Sequence, residues 1–308
     1  MEGISYEPGT ILRETMHEVC AQLKQTVETL SIERVVIGLF FTGVKLSNGA
    51  GGLCFTPIKE IPEAVCCPSS MSTMPLSGKL RGKPVLPFVE QMLDGGALKK
   101  AIGIATLNAL SMTCWEEQPP TSYKIASGMD AMDAVTIADK DYVILVGAFI
   151  PILKTLKRRG KPFGILELNP SVLLSEEMRY LIAPEQRDEE LFKADLIIST
   201  GTTLINDTLE GILKQKTPGA RVVVVGPTAS SIPDAFFRRG VDILGGVRVI
   251  DPDRVLDMIA EAGSGFHFFD KGADRIVIRA PSALSGSSWQ SLEPRSRGGK
   301  AIADFSQY

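Results

Sequence analysis

YVILVGAFIPILKTLKRRGKPFGILELNP, residues 142–170, decides the fold. Tyr142 to Gly147 is a short, nearly continuous apolar run, the pattern of a parallel strand buried on both faces. Pro151 stands near the start of the helical stretch that follows, Lys157, Arg158 and Arg159 fill its last turn, and Gly160 lies just past its end. Proline early, cations late and glycine beyond delimit one complete helix. A second apolar run, PFGILELN (162–169), comes next. The rhythm repeats through DLIISTG (195–201), RVVVVGP (221–227) and VDILGGVRVID (241–251). The connection after the third run offers Asp207 as a helix cap with Glu210 three residues on, and it breaks at Pro218-Gly219. The fifth run leads through Asp251-Pro252 into a helix that stops near Gly263. Strand alternating with helix predicts an α/β domain: a doubly wound parallel sheet with right-handed crossovers, residues 141–280.

Upstream the pattern changes. Leu12, Met16, Val19, Cys20, Leu23, Val27 and Leu30 follow the spacing of one buried helical stripe. RVVIGLFFTGVKL (34–46) and GLCFTP (52–57), joined by SNGAG, read as a hairpin. Helical stretches follow at 84–94 and 97–112. Helix, hairpin and helices predict a small α+β domain over residues 1–112. Residues 113–140 carry no clean period and contain Pro119-Pro120, as a linker does, and a Ser/Arg/Gly-rich tail begins at Pro281.

Composition narrows the partners. The net charge is −3, without the basic stripe of a nucleic-acid surface. No apolar run reaches the roughly 18–20 residues of a membrane span. MEGISYEPGT lacks the pattern of a secretory leader, and five cysteines, an odd number, point to reduced thiols rather than a disulfide framework. The expected setting is cytoplasmic, with neither nucleic acid nor membrane as partner; homo-oligomerisation stays open.

In an open α/β sheet, ligands bind beyond the carboxyl ends of the strands, where strand order reverses. The candidate ligand-binding residues are therefore Gly147 and Phe149 after the first run, Glu167, Asn169 and Pro170 after the second, Thr200, Gly201 and Thr202 after the third, and Gly226, Pro227 and Thr228 after the fourth. Glu167 follows Gly147 by 20 residues, the interval at which a dinucleotide fold places its ribose-binding acid. The turn itself reads G-A-F-I-P rather than G-x-G-x-x-G, which argues against a standard dinucleotide. The hairpin adds Thr42 and Lys45, the latter either reaching into an interdomain cleft or guarding a sheet edge. Cys66 and Cys67 are adjacent, not in the C-x-x-C spacing of a zinc site. They are the remaining donors for a soft ion, and Glu167 with Asp207 for a hard one.

The strings KAIGIATLNAL (100–110), VGAFIP (146–151), ILELNP (165–170), ADLIISTGTTLINDTLEGIL (194–213) and VVVVGPTASSIPDAFFRRGVDILGGVRVID (222–251) together resemble the heavy-metal chelation family. That resemblance implies an enolase N-terminal-like domain followed by a Rossmann-like domain, with a ligand cleft between them. It matches the cleft to Gly147, Glu167, Pro170, Thr200, Gly226 and Pro227, with Asn108 from the smaller domain. It implies a transition metal or metal chelate as cofactor or ligand. Two functions compete: a binding protein for a metal or metal complex, and a small-molecule transferase using an adenosine-containing cofactor such as S-adenosylmethionine.

Overall fold

The computed structural model of the chain describes residues 9–60 and 75–280; Cys66, Cys67 and the tail from Pro281 lie outside the described residues. The first apolar stripe forms α1 (Thr10–Leu23), which buries Ile11, Leu12, Thr15, Val19 and Leu23. The stripe runs on to Leu30, but the helix breaks at Lys24, whose φ is 50°, and resumes as the single turn α2 (Thr26–Thr29).

Residues 34–46 are two strands where one was expected. β1 (Ile32–Ile37) and β2 (Phe41–Leu46) pair antiparallel about Gly38-Leu39-Phe40, with the Gly38 N–H donating to the Phe41 carbonyl at 2.9 Å. β3 (Gly51–Phe55) pairs with β2, so the small sheet is a three-stranded meander. Leu39 and Phe40 occupy the turn, and a single glycine was too little punctuation to reveal it in the sequence.

Helices α3 (Leu86–Asp94) and α4 (Ala97–Glu117) follow, and α4 is buried on every side from Ala101 to Cys114. A helix of that kind belongs between layers. One side of α4 lies against the small sheet so closely that a Cβ at Gly52 would overlap the Ala105 carbonyl. Its other side meets the loops of the large-sheet half of the chain.

The large sheet holds β4 (Lys124–Ser127), β5 (Val143–Val146), β6 (Phe163–Leu166), β7 (Leu196–Thr200), β8 (Arg221–Val225), β9 (Ile243–Val249) and β10 (Ala273–Arg279), in the order β4-β10-β9-β8-β7-β5-β6. The five expected strands β5 to β9 are parallel; at one edge β10 pairs antiparallel with β9, and β4 pairs antiparallel with β10. β4 lies inside the expected linker, and β10 has no counterpart in the sequence reading. β4 is only four half-buried or exposed residues long, and β10 mixes Asp274, Arg275 and Arg279 with its apolar positions. Neither resembles the continuous apolar runs of the central strands.

Strand residues alternate between two cores. Val143, Leu145 and Ile198 face α5 (Ile150–Arg159). Ile144, Ile197 and Val224 face the opposite layer of α6 (Arg187–Lys193), α7 (Leu209–Gln215) and α8 (Asp234–Phe237), a core continuous with that of α1 and α4. The Asp251 carboxylate accepts the Arg254 N–H at 3.1 Å and opens α9 (Pro252–Ala260), as its position before Pro252 predicts. α9 and α10 (Gly265–Phe268) cover the far face of the small sheet, where Leu256 and Ile259 meet Leu53.

The expected cap of α7 is not formed. Asp207 turns the chain with φ 56° and pairs with Lys100, and α7 begins at Leu209 without a side-chain cap. Glu210 instead accepts the Ile11 N–H at 3.0 Å, capping α1 from 199 residues along the chain, and burial pushes its carboxyl pKa up.

Candidate functional site

Because β5 lies between β6 and β7, the chain leaves it toward one side and later returns to the other. The crevice of such a sheet opens between the carboxyl ends of the two strands at that reversal, here β5 and β7. Gly147 follows β5 with φ 87°, and a Cβ there would stand 2.5 Å from Thr200 Cγ2. The two tips touch in a conformation that favours glycine.

Glu167 braces the neighbouring tip. Its Oε2 accepts the Ala148 N–H and its Oε1 accepts the Asn169 N–H, each at 2.8 Å. The carboxylate thus ties the turn after β5 to the turn after β6. Asn169 Oδ1 accepts the Ser171 hydroxyl at 2.6 Å, and Pro170 begins a short 3-10 turn. Beside this brace, Phe149 is 41%, Ile150 42% and Leu168 74% exposed. Across the reversal, Thr200 Oγ1 accepts the Thr202 hydroxyl at 3.3 Å; both threonines are half-buried and Gly201 is buried between them.

The tips further along the sheet are covered. Asn108, 1% exposed, gives its side-chain N–H groups to the carbonyls of Leu53 (2.8 Å), Pro227 (3.2 Å) and Thr228 (3.1 Å). Three acceptors orient the amide, and its buried Oδ1 lacks a hydrogen-bond partner. Thr228 Oγ1 accepts the Phe55 N–H at 3.0 Å, and Ser111 Oγ accepts the Ile232 N–H at 3.2 Å. Lys100 Nζ reaches Asp207 Oδ2 at 2.6 Å. Lys100, Asn108 and Ser111 share one stripe of α4, so this helix is fastened across the loops after β7 and β8. Gly226, whose N–H donates to the Gly245 carbonyl at 2.8 Å, lies at the edge of that cover and is half-buried.

The hairpin residues belong to the same seam or lie away from it. Thr42 is fully buried, its hydroxyl 3.0 Å from that of Thr56. Lys45 pairs with Glu33 at 3.1 Å and with Asp253 of α9 at 2.7 Å, so it joins the small sheet to a helix. Burial pushes the Cys54 thiol up to about 12, leaving it protonated and a poor ligand.

The donors do not fit a bare metal ion. Among the described residues no group of three or more His, Cys, Asp or Glu side chains is placed to hold one. Glu167 is engaged with two backbone N–H groups and Asp207 with Lys100. In the tip segments 147–150, 167–170, 200–203 and 226–228, Glu167 is the one charged residue. Sequence reasoning included Leu168 in the tip after the second run without a role of its own, and passed over Ile150, another apolar residue set among polar tips, and Lys100 and Ser111. The last two stand in helical register with Asn108, which was the available signal.

Comparison with known proteins gives the following. A family model described as "Putative heavy-metal chelation" matches residues 130–278, and a second model of the same description matches residues 20–111. An uncharacterized protein of Methanocaldococcus jannaschii is 30% identical over 194 residues, 61% of this chain and 68% of that one. A crystal structure of a protein of unknown function from Pyrococcus horikoshii matches with a TM-score of 0.65 and 18% identity, covering 88% of this chain and 100% of that one. Another, from Desulfitobacterium hafniense, matches with a TM-score of 0.61 and 19% identity, covering 87% and 98%. At these identities the two structures share the fold.

Proposed function

The chain belongs to this heavy-metal chelation family, and from that premise we propose that it binds a metal already held in a small organic chelator, at the open tips of β5, β6 and β7. One observation carries the reading: the tips at the strand-order reversal offer hydroxyls and backbone, with their single carboxylate already bonded to Ala148 and Asn169. A bare transition-metal ion needs several converging donors. A metal complex brings its own, and asks of the protein only shape, hydrogen bonds and apolar contact. The metal is cargo in this reading; Glu167 acts on the protein, holding two turns in place, and Thr200 and Thr202 offer hydroxyls to the chelator's oxygens.

The transferase reading draws less support. It requires Glu167 to accept ribose hydroxyls, and both oxygens of that carboxylate already accept backbone N–H groups. The turn after β5 also lacks the glycines that let a pyrophosphate approach the backbone.

Native mass spectrometry on protein purified without an affinity tag tests the proposal. The expected adduct is a metal together with an organic ligand, and iron, cobalt or nickel salts added alone wash out on dialysis. Retention of a bare ion near one equivalent would contradict it. So would thermal stabilisation by S-adenosylmethionine that disappears in Glu167→Ala.

A further inference from the structure

The strand tips also carry information about which complexes enter. This inference rests on the chelate reading above and concerns its selectivity. The Glu167 carboxylate bonds Ala148 on one side and Asn169 on the other, and their chain neighbours are Phe149 and Leu168. The Gly147 N–H donates to the Leu166 carbonyl at 2.8 Å, which holds the same two turns together a second time. Phe149, Ile150 and Leu168 are thereby gathered at two adjacent tips, each substantially exposed. They are not spare core residues: α5 meets the sheet through Ile152, Leu153 and Leu156, while Phe149 and Ile150 precede that face. Single exposed apolar side chains are ordinary, but a group of them beside the crevice of an open sheet marks a contact surface.

The opposite lip is chemically different. Thr200 and Thr202 supply hydroxyls, and no tip residue supplies a free charge. A highly charged complex entering between these lips would lose hydration without an opposite charge to replace it. A neutral complex with an apolar body would bury that body against Phe149 and Leu168 and turn its oxygens to the threonines.

We propose that Phe149, Ile150 and Leu168 form an apolar lip that selects neutral metal chelates with an aromatic or aliphatic body over strongly anionic ones. The lip determines specificity; Glu167 positions it.

Equilibrium dialysis against three iron(III) complexes with six oxygen donors provides the test: the neutral tris(benzohydroxamate), the neutral tris(acetohydroxamate) and the trianionic tris(catecholate), each with excess ligand. The expected result is binding of the benzohydroxamate complex about tenfold or more tighter than the acetohydroxamate complex, the difference coming from buried phenyl surface. The catecholate complex is expected to bind most weakly. Phe149→Ser with Leu168→Ser abolishes the preference, whereas Thr202→Val retains it. Because both apolar side chains are exposed, the double variant should keep its Tm; if it does not, single Phe149→Thr and Leu168→Thr variants report the same ratio. Equal binding of the two hydroxamates, or a preference that survives removal of the lip, overturns the selectivity and leaves the chelate reading standing. Binding of none of the three complexes removes the chelate reading and the lip with it.

Discussion

The tips of β8 and of β5 begin from similar chemistry and end in different roles. Each is a short, buried, mostly valine, leucine and isoleucine strand running into a glycine with positive φ, Gly226 in one case and Gly147 in the other. Past β8 the hydroxyls of Thr228 and Ser230 are buried: Thr228 Oγ1 accepts the Phe55 N–H, and Ser230 Oγ donates to the Pro227 carbonyl at 2.7 Å and accepts the Val247 N–H at 2.9 Å. Past β5 and β6 the turns are tied to each other, and Phe149, Ile150 and Leu168 are exposed. The difference is made by α4, which lies across one set of tips and leaves the other open. A strand-end rule drawn from topology therefore finds two populations, one fastened under α4 and one left uncovered by it.

The largest effect that would sharpen this contrast is expected at Asn108. Replacing it with Ala takes this donor from the Leu53 and Thr228 carbonyls, while the Pro227 carbonyl keeps the Ser230 hydroxyl, and leaves a small void; it should cost about 2–4 kcal/mol in urea unfolding. A loss below roughly 0.5 kcal/mol would place Asn108 among ordinary surface positions and break the distinction. Gly147→Ala comes next, at about 1–3 kcal/mol, from its φ of 87° and the approach of Thr200 Cγ2. Thr200→Ser removes that methyl, so the double variant should recover the steric part and retain the conformational part; full additivity in the cycle would show that the tips are not in contact.

A smaller effect lies where α1 is latched to α8. Arg239 is hydrogen-bonded to Glu14 at 2.5 Å and holds its carboxyl down to about 2 from 4.5, against the opposing effect of burial. A lowered carboxylate contributes stability above its unfolded value, and that contribution is lost as pH falls from about 4.5 toward 2. Glu18, which also pairs with Arg238, is shifted the other way by burial, so its protonation on acidification opposes the loss. Glu14→Gln should flatten the acid limb of a Tm-against-pH curve, while an unchanged limb would remove this latch from the covered half. The smallest stability change is expected at the open tips: Phe149→Ser should alter unfolding by less than about 0.5 kcal/mol.

How much of this was legible in the sequence follows from which residues have local signatures. Parallel strands buried on both faces read as unbroken apolar runs, so β5 to β9 stood out, and Gly160 and Asp251 ended or opened helices where their chemistry requires. β4 was missed because it is a short, exposed edge strand whose partner is far away in the chain, and β10 because Asp274, Arg275 and Arg279 break its apolar run. Glu167 was found for its position, but a carboxylate braced by two N–H groups and one awaiting a ligand look alike in a sequence. Lys45, read as a cleft residue or an edge guard, and Asp207, read as a helix cap or a hard-ion donor, are paired instead with Asp253 and Lys100. Those last two partners lie more than 100 residues away in the chain, and no local pattern encodes them.

Hydrogen–deuterium exchange on the protein with and without iron(III) tris(benzohydroxamate) tests the division of the tips most directly. Slower exchange is predicted at 147–153 and 167–172 on loading, with 104–112 and 226–232 slow and unchanged in both states. Protection confined to 226–232 or to the small sheet, with the turns after β5 and β6 unaffected, would contradict it.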